Sequence, residues 1–425
     1  MRRQRRVPFL ARDALEATRD ANVRRTVRHA AKEVPYYREW FARAGIDAGE
    51  IGGAADLERL PVLDRELVRS DPLRFVAERE LRRRPLSFLT SGSTGTPLEI
   101  YHDRRSLFLN IPFGERERAP VIAMCGGSFR PRELYVGYET STFKKVMAFY
   151  AESTLLPVRP RRRIVSVLES PEAVAKIVNA ERPDVLSGYG GWIDVFFRTV
   201  AARSIDLHPP KLVMYMGEAL PPGTRGFVET EFGIPVLSRY NAVESFKIGF
   251  YCERRTGFHL HEDICHVRVV RPDGRTAAPG EQGRVVISNL VNRATVLLNY
   301  PIGDLACMSP DACPCGRTPK LLSELEGREE DVLPLADGRF VHPRAVWQVF
   351  KSDRGVLQYQ LTQHGPTRFE LTLTTLDEQD FQRSLARALP ELERLLGSGA
   401  VIDATRRSDM EARRGGKFRA VASLL

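Results

Sequence analysis

The run Thr90-Ser91-Gly92-Ser93-Thr94-Gly95-Thr96-Pro97 puts five hydroxyls and two glycines into seven consecutive positions, directly after the apolar stretch 86–89. Glycine permits close backbone approach, so N–H and hydroxyl groups in such a run can converge on one anion, and a phosphate is the natural guest. The run lacks the lysine of a Walker-type loop, which argues against the common NTPase mechanism. The same residue types also build plain turns. A second group is Cys252, His259, Cys313 and Cys315. Three thiolates and an imidazole would complete a closed tetrahedral zinc site of structural type. Cys-x-Cys is a less typical spacing than Cys-x-x-Cys, and the two halves must meet through the fold. The alternative is four unrelated residues with simply buried thiols. Strand alternation puts His261 on the same face as His259, so either could serve. Lys417 follows Gly415 and Gly416, where a flexible segment could carry one positive charge into a closing site; the alternative is a surface lysine beside Arg413 and Arg414.

The surrounding pattern indicates what must hold these residues. Positions 1–85 read as helices, from the aromatic cluster PYYREWF and the apolar spacing of LERLPVLDRELVRSD. From 86 to 260, apolar runs (PLSFLTSG, RELYVGY, RRRIVSVL, PDVLSGYG, KLVMYMGE, IPVLSRYN) alternate with helical ones (SPEAVAKIVNAE, WIDVFFRTVAAR, PPGTRGFVETEFG). That rhythm predicts a mostly parallel sheet covered by helices. From 261 to 326, ICHVRVV, GRVVISNL and ATVLLNY joined by Gly-containing turns predict an antiparallel subdomain. Residues 327–425 read as a small α+β module on a hinge, with paired strands in QYQLTQHGPTRFELTLTTL and an amphipathic helix in FQRSLARALPELERLL. The expected class is α/β plus α+β, divided at 326/327.

At 425 residues the chain is long enough for two to three units of ~150 residues. Hydrophobic residues at 43% and charged ones at 28% exclude a disordered or collagen-like chain. No apolar run nears the ~18 residues of a membrane span. The basic start MRRQRR leads into a charge-laced stretch and not a secretory core, so the expected compartment is cytoplasmic. The net charge of +10 suits anionic small molecules; without an aromatic-interleaved basic stripe, nucleic acid is not an expected partner. Six cysteines are too few for a disulfide scaffold of this size.

TSGSTGTP resembles the phosphate loop of the adenylate-forming superfamily of acyl-CoA synthetases and adenylation enzymes, and five more stations follow in order. MGEAL (216–220) is similar to the adenine-contacting segment, RYNAVES (239–245) to the Tyr-Gly-x-Thr-Glu signature, and LNYPIGDLA to the Tyr-Arg-Thr-Gly-Asp station. LEGREED is similar to the Gly-Arg hinge and RRGGKFRAV to the catalytic-lysine segment. PYYREWF, TGFHLHED and CPCGRTPKLLSELEGR resemble the phenylacetate–CoA ligase and capsule-biosynthesis ligase branch. The resemblance implies a large N-terminal adenylation domain, 1–326, and a mobile lid, 327–425.

It also implies residue roles. Thr90, Ser91, Gly92, Ser93, Thr94, Gly95 and Thr96 would hold the ATP phosphates, and Gly217, Glu218, Ala219, Tyr240 and Asn241 would line the nucleotide. Asp304 would accept from the ribose hydroxyls, Glu244 would support Mg²⁺, and Lys417 would bridge the carboxylate and the α-phosphate. Arg328 would contact phosphate or ribose, with Glu330 and Asp331 in the hinge. The acid pocket would draw on residues 137–142 and 187–191, chiefly Tyr138, Tyr189 and Gly190, with Met216; Tyr138, Tyr189 and Trp192 would suit an aromatic or short-chain acid. The branch's Cys-x6-His frame favours His259 over His261 as zinc ligand. Asn241 and Val243, and Pro301 and Ile302, depart from the signatures. The hinge region also lacks the usual glycine-containing stretch of CoA users.

The activity implied is ATP- and Mg²⁺-dependent activation of a carboxylic acid as acyl-adenylate, then transfer to a thiol, with CoA favoured. A carrier-protein thiol or an amine are competing acceptors, and a non-catalytic nucleotide-binding module is the alternative of another class. The expected assembly is a monomer or homodimer without a membrane partner.

Overall fold

Leu15, Val23, Val27 and Ala30 recur at helical spacing along the 22-residue helix Arg12–Glu33, and all are essentially fully buried in the computed structural model of the chain. The structure describes residues 2–90, 97–138, 142–153, 161–221, 223–323, 325, 327–328, 331–341, 343–350, 353, 355–397, 399–407 and 419–425. Its internal contacts divide it into two compact units. The first comprises Met1–Phe129, Thr140–Arg159 and Leu237–Glu324, and the second Arg130–Glu139, Pro160–Val236 and Leu325–Leu425.

The first unit opens with the helical layer expected for residues 1–85. Pro35 starts the helix Pro35–Ala44 and Gly45 ends it at φ 63°, the left-handed conformation a helix stop uses. Tyr36, Tyr37 and Phe75 pack with ring centroids 4.5–6.3 Å apart. The strand Leu86–Leu89 pairs antiparallel with Glu99–His102 and so forms a hairpin, where the sequence rhythm suggested a member of the parallel sheet. The 21-residue helix Arg104–Met124 follows, its first turn capped by Asp103, which accepts from Ser106 N–H at 2.9 Å. Strands Cys265–Val270, Gln282–Asn289 and Tyr300–Cys307 form the expected antiparallel sheet.

ATVLLN, residues 294–299, was expected as strand and is not one. Its backbone groups bond to the helical layer: Ala77 N–H to Ala294 O, Val296 N–H to Phe75 O, and Leu63 N–H to Asn299 O. Tyr37 Oη accepts from Leu298 N–H at 2.9 Å. Asn299, at φ 53°, turns the chain, and its amide donates to Leu57 O and Leu60 O. An apolar run so engaged is filling a seam, which periodicity cannot distinguish from a strand.

In the second unit, strands Leu212–Met216, Val185–Gly188, Glu133–Gly137 and Arg162–Ser166 lie in that order and pair in parallel. Helices Pro171–Glu181 and Gly190–Ala202 pack on them through Val174, Val178, Trp192, Ile193, Phe196 and Phe197. The last hundred residues supply the antiparallel pair Val356–Gly365 and Arg368–Thr375, flanked in parallel by Val421–Ser423 and Val401–Arg407. The amphipathic helix Glu378–Leu396 buries Phe381, Ser384, Ala388, Leu392 and Leu396 against them. Among the described residues no helix is long and apolar enough to cross a membrane.

Candidate active site

The strand Val236–Tyr240, of which Leu237 onward belongs to the first unit, leads into a turn that Ile248 N–H closes on Tyr240 O at 3.0 Å. Tyr240 Oη donates to Asp304 Oδ2 at 2.7 Å, bringing together two motif residues far apart in sequence. Between them runs the segment of greatest interest, residues 241–246. His102 Nε2 donates to Val243 O at 2.8 Å, and Asn289 Nδ2 donates to Glu244 O at 2.9 Å. Burial of His102 pushes its pKa down to about 4, so the ring is neutral near pH 7. Asn241, the departure from the signature's glycine, turns its amide nitrogen to Phe246 O and Tyr240 O, each at 2.9 Å, and so braces the turn from inside.

Glu244 lies close enough to Tyr300 for its charge, after burial itself, to push the Tyr300 hydroxyl pKa up. That hydroxyl accepts from Arg65, and the Arg65 guanidinium lies over Gly303. A Cβ there would stand 2.7 Å from Nη1, the end of a flexible side chain that can give way, so it is the φ of +86° that favours glycine. The hydroxyl-rich loop is closed at its base, where Thr90 N–H donates to Leu98 O and Thr90 Oγ1 accepts from Leu98 N–H, both 2.9 Å. Residues 91–96 lie outside the described residues.

In the second unit the Tyr189 hydroxyl accepts from the Tyr135 hydroxyl and from Tyr138 N–H. The Tyr138 and Tyr189 rings stand 5.6 Å apart. A Cβ on Gly217, which has φ +79°, would meet the Tyr189 ring at 3.3 Å, and one on Gly190 would meet Ala219 O at 2.2 Å. Tyr138, Tyr189, Gly190, Gly217, Glu218 and Ala219 therefore form one cluster. Burial first, and then the Glu218 charge, push the Tyr138 hydroxyl pKa up. Met216, nearly buried, ends the strand beneath. Two neighbours named with the pocket are engaged elsewhere: Ser187 donates to Glu133 Oε1 at 2.6 Å, and Trp192 stacks on Phe196 in the core. Arg328 lies half-buried in the short strand Gly327–Arg328, and Asp331 accepts from Arg419 Nε at 2.6 Å. Lys417, Glu330, Glu139 and Thr140 lie outside the described residues. Tyr135, His102, Asn289 and Arg65 had no motif to announce them; all act through contacts distant in sequence.

The strands Gly249–Tyr251 and Phe258–Leu260 pair antiparallel and bring Cys252 and His259 beside Cys313 and Cys315. The four ligand atoms all lie within 4.8 Å of one another. Cys252 Sγ is 3.6 Å from Cys313 Sγ, and Cys315 Sγ is 3.3 Å from His259 Nε2. Thr256 Oγ1 and the Arg254 and Arg317 N–H groups donate to the three sulfurs at 3.3–3.5 Å, contacts that suit thiolates. Burial pushes the Cys252 thiol up to about 12, whereas hydrogen bonds to Cys313 outweigh its burial and hold it below the ordinary range. His261 is turned to Glu117, 3.2 Å away, and takes no part in the cluster.

No protein-family model matches the chain. It is 27% identical over 350 residues to the phenylacetate–coenzyme A ligase of Thermus thermophilus, covering 79% of this chain and 75% of that protein. The corresponding Escherichia coli enzyme is 23% identical over 340 residues, 76% and 72% of the two chains. Among solved structures, a 2-hydroxyisobutyryl-CoA ligase in the postadenylation state superimposes with a TM-score of 0.77 at 18% identity, covering 98% of this chain and 91% of that one. The amide bond synthetase McbA of Marinactinospora thermotolerans gives 0.51 at 16% identity over 76% and 66%. The chain thus has sequence relatives among the phenylacetate–coenzyme A ligases over about three quarters of its length and the fold of a CoA ligase over nearly all of it.

Proposed function

We propose that the protein activates a carboxylic acid with ATP as an acyl-adenylate, releasing pyrophosphate, and then transfers the acyl group to the thiol of CoA. The observation that carries this is the Tyr240–Asp304 hydrogen bond at 2.7 Å, which joins the two nucleotide stations on one side of the turn bearing Glu244. Asp304 accepts from the ribose hydroxyls, and residues 90–96 cradle the phosphates. Glu244 is a carboxylate of the kind that holds Mg²⁺, which would neutralise phosphate charge. The Tyr138–Tyr189 pair is a rigid apolar wall suited to an aromatic or short-chain acid. Residues 327–425 act as the lid that delivers Lys417, and within them Asp331, in the hinge, accepts from Arg419. The Cys252, His259, Cys313 and Cys315 set fits zinc by donor type and closeness, as a closed site that braces the strand ends.

Acid-dependent ATP–pyrophosphate exchange over a panel of aryl and short-chain acids tests the first half-reaction. No exchange with any acid would sink the proposal in favour of a binding module. Mass identification of products with CoA, then with amines, tests the second, and an amide without a thioester would move the acceptor from thiol to amine.

A further inference from the structure

Glu117 lies in the helix Arg104–Met124 with its side chain 1% exposed. Burial alone would raise the pKa of such a carboxylate, yet three groups around it bring it down to about 2: Lys247 foremost, then His261 and Arg239. Lys247 Nζ donates to Oε2 at 2.6 Å, and Arg239 Nε stands 3.6 Å from the same oxygen. His261 Nε2 is 3.2 Å from Oε1. The charge also reaches Tyr150, raising its hydroxyl pKa further after burial.

The three partners are not scattered. Arg239 immediately precedes Tyr240, and Lys247 immediately precedes Ile248, whose N–H closes the turn on Tyr240 O. His261 N–H donates to Ile248 O at 2.9 Å, so the third partner is bonded to the same closing residue. One buried carboxylate thus accepts from Lys247 at one stem of the turn that presents Tyr240 and Glu244 and faces the Arg239 guanidinium at the other. A single cation would suffice to satisfy a buried glutamate. Two, placed at either end of a seven-residue loop, face one carboxylate across the loop's ends, which backbone pairing of Arg239 with Phe250 and of Tyr240 with Gly249 also joins.

We propose that Glu117 is the positioning residue of the nucleotide-binding turn, fixing where Glu244 and Tyr240 stand toward magnesium-bound ATP. This rests on the reading of the site given above. The carboxylate touches neither substrate nor metal; it acts through Arg239 and Lys247. Loss of such outer support typically lowers metal affinity or activity by about 10–100-fold.

The test is Glu117→Gln, which keeps the volume and loses the charge. A second variant, Glu117→Leu with Lys247→Met, removes the carboxylate together with its closest cation and leaves only Arg239 of the two charges that faced it. Calorimetric MgATP affinity is measured for each, with thermal unfolding and, in exchange assays, the Mg²⁺ midpoint and the KM for the acid. The expected result in a folded variant is a MgATP affinity and Mg²⁺ midpoint at least about tenfold worse, with the acid KM within about twofold of wild type. A folded variant of either kind with unchanged MgATP affinity overturns the inference, and so does equal weakening toward MgATP and acid. Wild-type protein that binds MgATP but exchanges with no acid removes the ligase reading alone, because the affinity comparison still decides the role of Glu117. Wild-type protein that does not bind MgATP overturns both.

Discussion

Replacing Gly190 by alanine adds one methyl group at the closest backbone approach in the second unit. The new Cβ would lie 2.2 Å from Ala219 O, 2.6 Å from Ala219 C and 2.8 Å from Leu220 N. These are backbone atoms, so no side-chain rotation relieves them. The two segments must part by about 0.8 Å to bring the shortest contact to even 3.0 Å. On one side of that gap stands the Tyr189 ring, held by Tyr135 and by Tyr138 N–H; on the other stands the Gly217-Glu218-Ala219 segment. Overpacking of this kind costs about 1–3 kcal/mol of stability, which a domain of this size tolerates. A displacement near 1 Å at a reacting centre costs on the order of 10²-fold in rate. The Gly190→Ala variant should therefore remain folded, with a modest drop in unfolding temperature, while acid-dependent ATP–pyrophosphate exchange falls by about 10²-fold. The assay is initial-rate exchange at saturating ATP beside a melt of the same preparation. Exchange within threefold of wild type in a folded variant would show that these two segments do not bound the reacting groups.

Lys417→Ala should lower acyl-adenylate formation by about three orders of magnitude while leaving ATP affinity within a few-fold, because a charge that acts on the transition state contributes little to ground-state binding; single-turnover quench measurements and calorimetry separate the two, and normal adenylation would remove the lid assignment. Elemental analysis of untreated protein should find about one zinc per chain, and content below about a tenth would end the metal assignment. His102 has its pKa depressed to about 4 by burial, so the unfolded chain takes up a proton near pH 6.5 that the folded chain refuses. This group's contribution is complete above pH 6.5 and is lost as pH falls toward 4, roughly 3 kcal/mol in all. Denaturant unfolding across that window should show a shallower slope in His102→Gln, and identical slopes would refute the account.

The strands and helices of the second unit were legible because each combines an apolar run with a turn signal: Val185–Gly188 and Gly190–Ala202 fall where PDVLSGYG and WIDVFFRTVAAR suggested. The hairpin Leu86–Leu89 with Glu99–His102 was not, since four residues carry no signal of pairing direction. Residues 294–299 misled because burial against a helical layer gives the same apolar run as burial in a sheet. The motifs proposed Tyr240, Asp304 and the Gly217–Ala219 stretch as site residues, but nothing local marked the groups that contact them. Tyr135, His102 and Glu117 act across separations that a motif cannot span. His261 is the instructive case. Strand alternation made it equivalent to His259, whereas a buried glutamate from a distant helix decides between them, binding His261 and leaving His259 to the thiols.

The departures from the signatures follow the same logic. Pro301 occupies the position where the Tyr-Arg-Thr-Gly-Asp station has its arginine, which leaves this strand without a cation beside Tyr300. A guanidinium nevertheless stands there: Arg65, at the start of the helix Arg65–Ser70, donates to the Tyr300 hydroxyl and lies against Gly303. Arg69, one turn further along the same helix, adds its field at the Tyr300 hydroxyl. The cations at the Tyr300 hydroxyl thus come from the N-terminal helical layer and not from the strand that carries the motif. Asn241 follows the same pattern at the other turn, where an amide bonded to Tyr240 O and Phe246 O stiffens a position that the signature leaves to glycine. Charge and rigidity at a site are properties of positions in space, so a motif can lose a residue while the cleft keeps the group, provided a neighbouring element has been packed close enough to supply it.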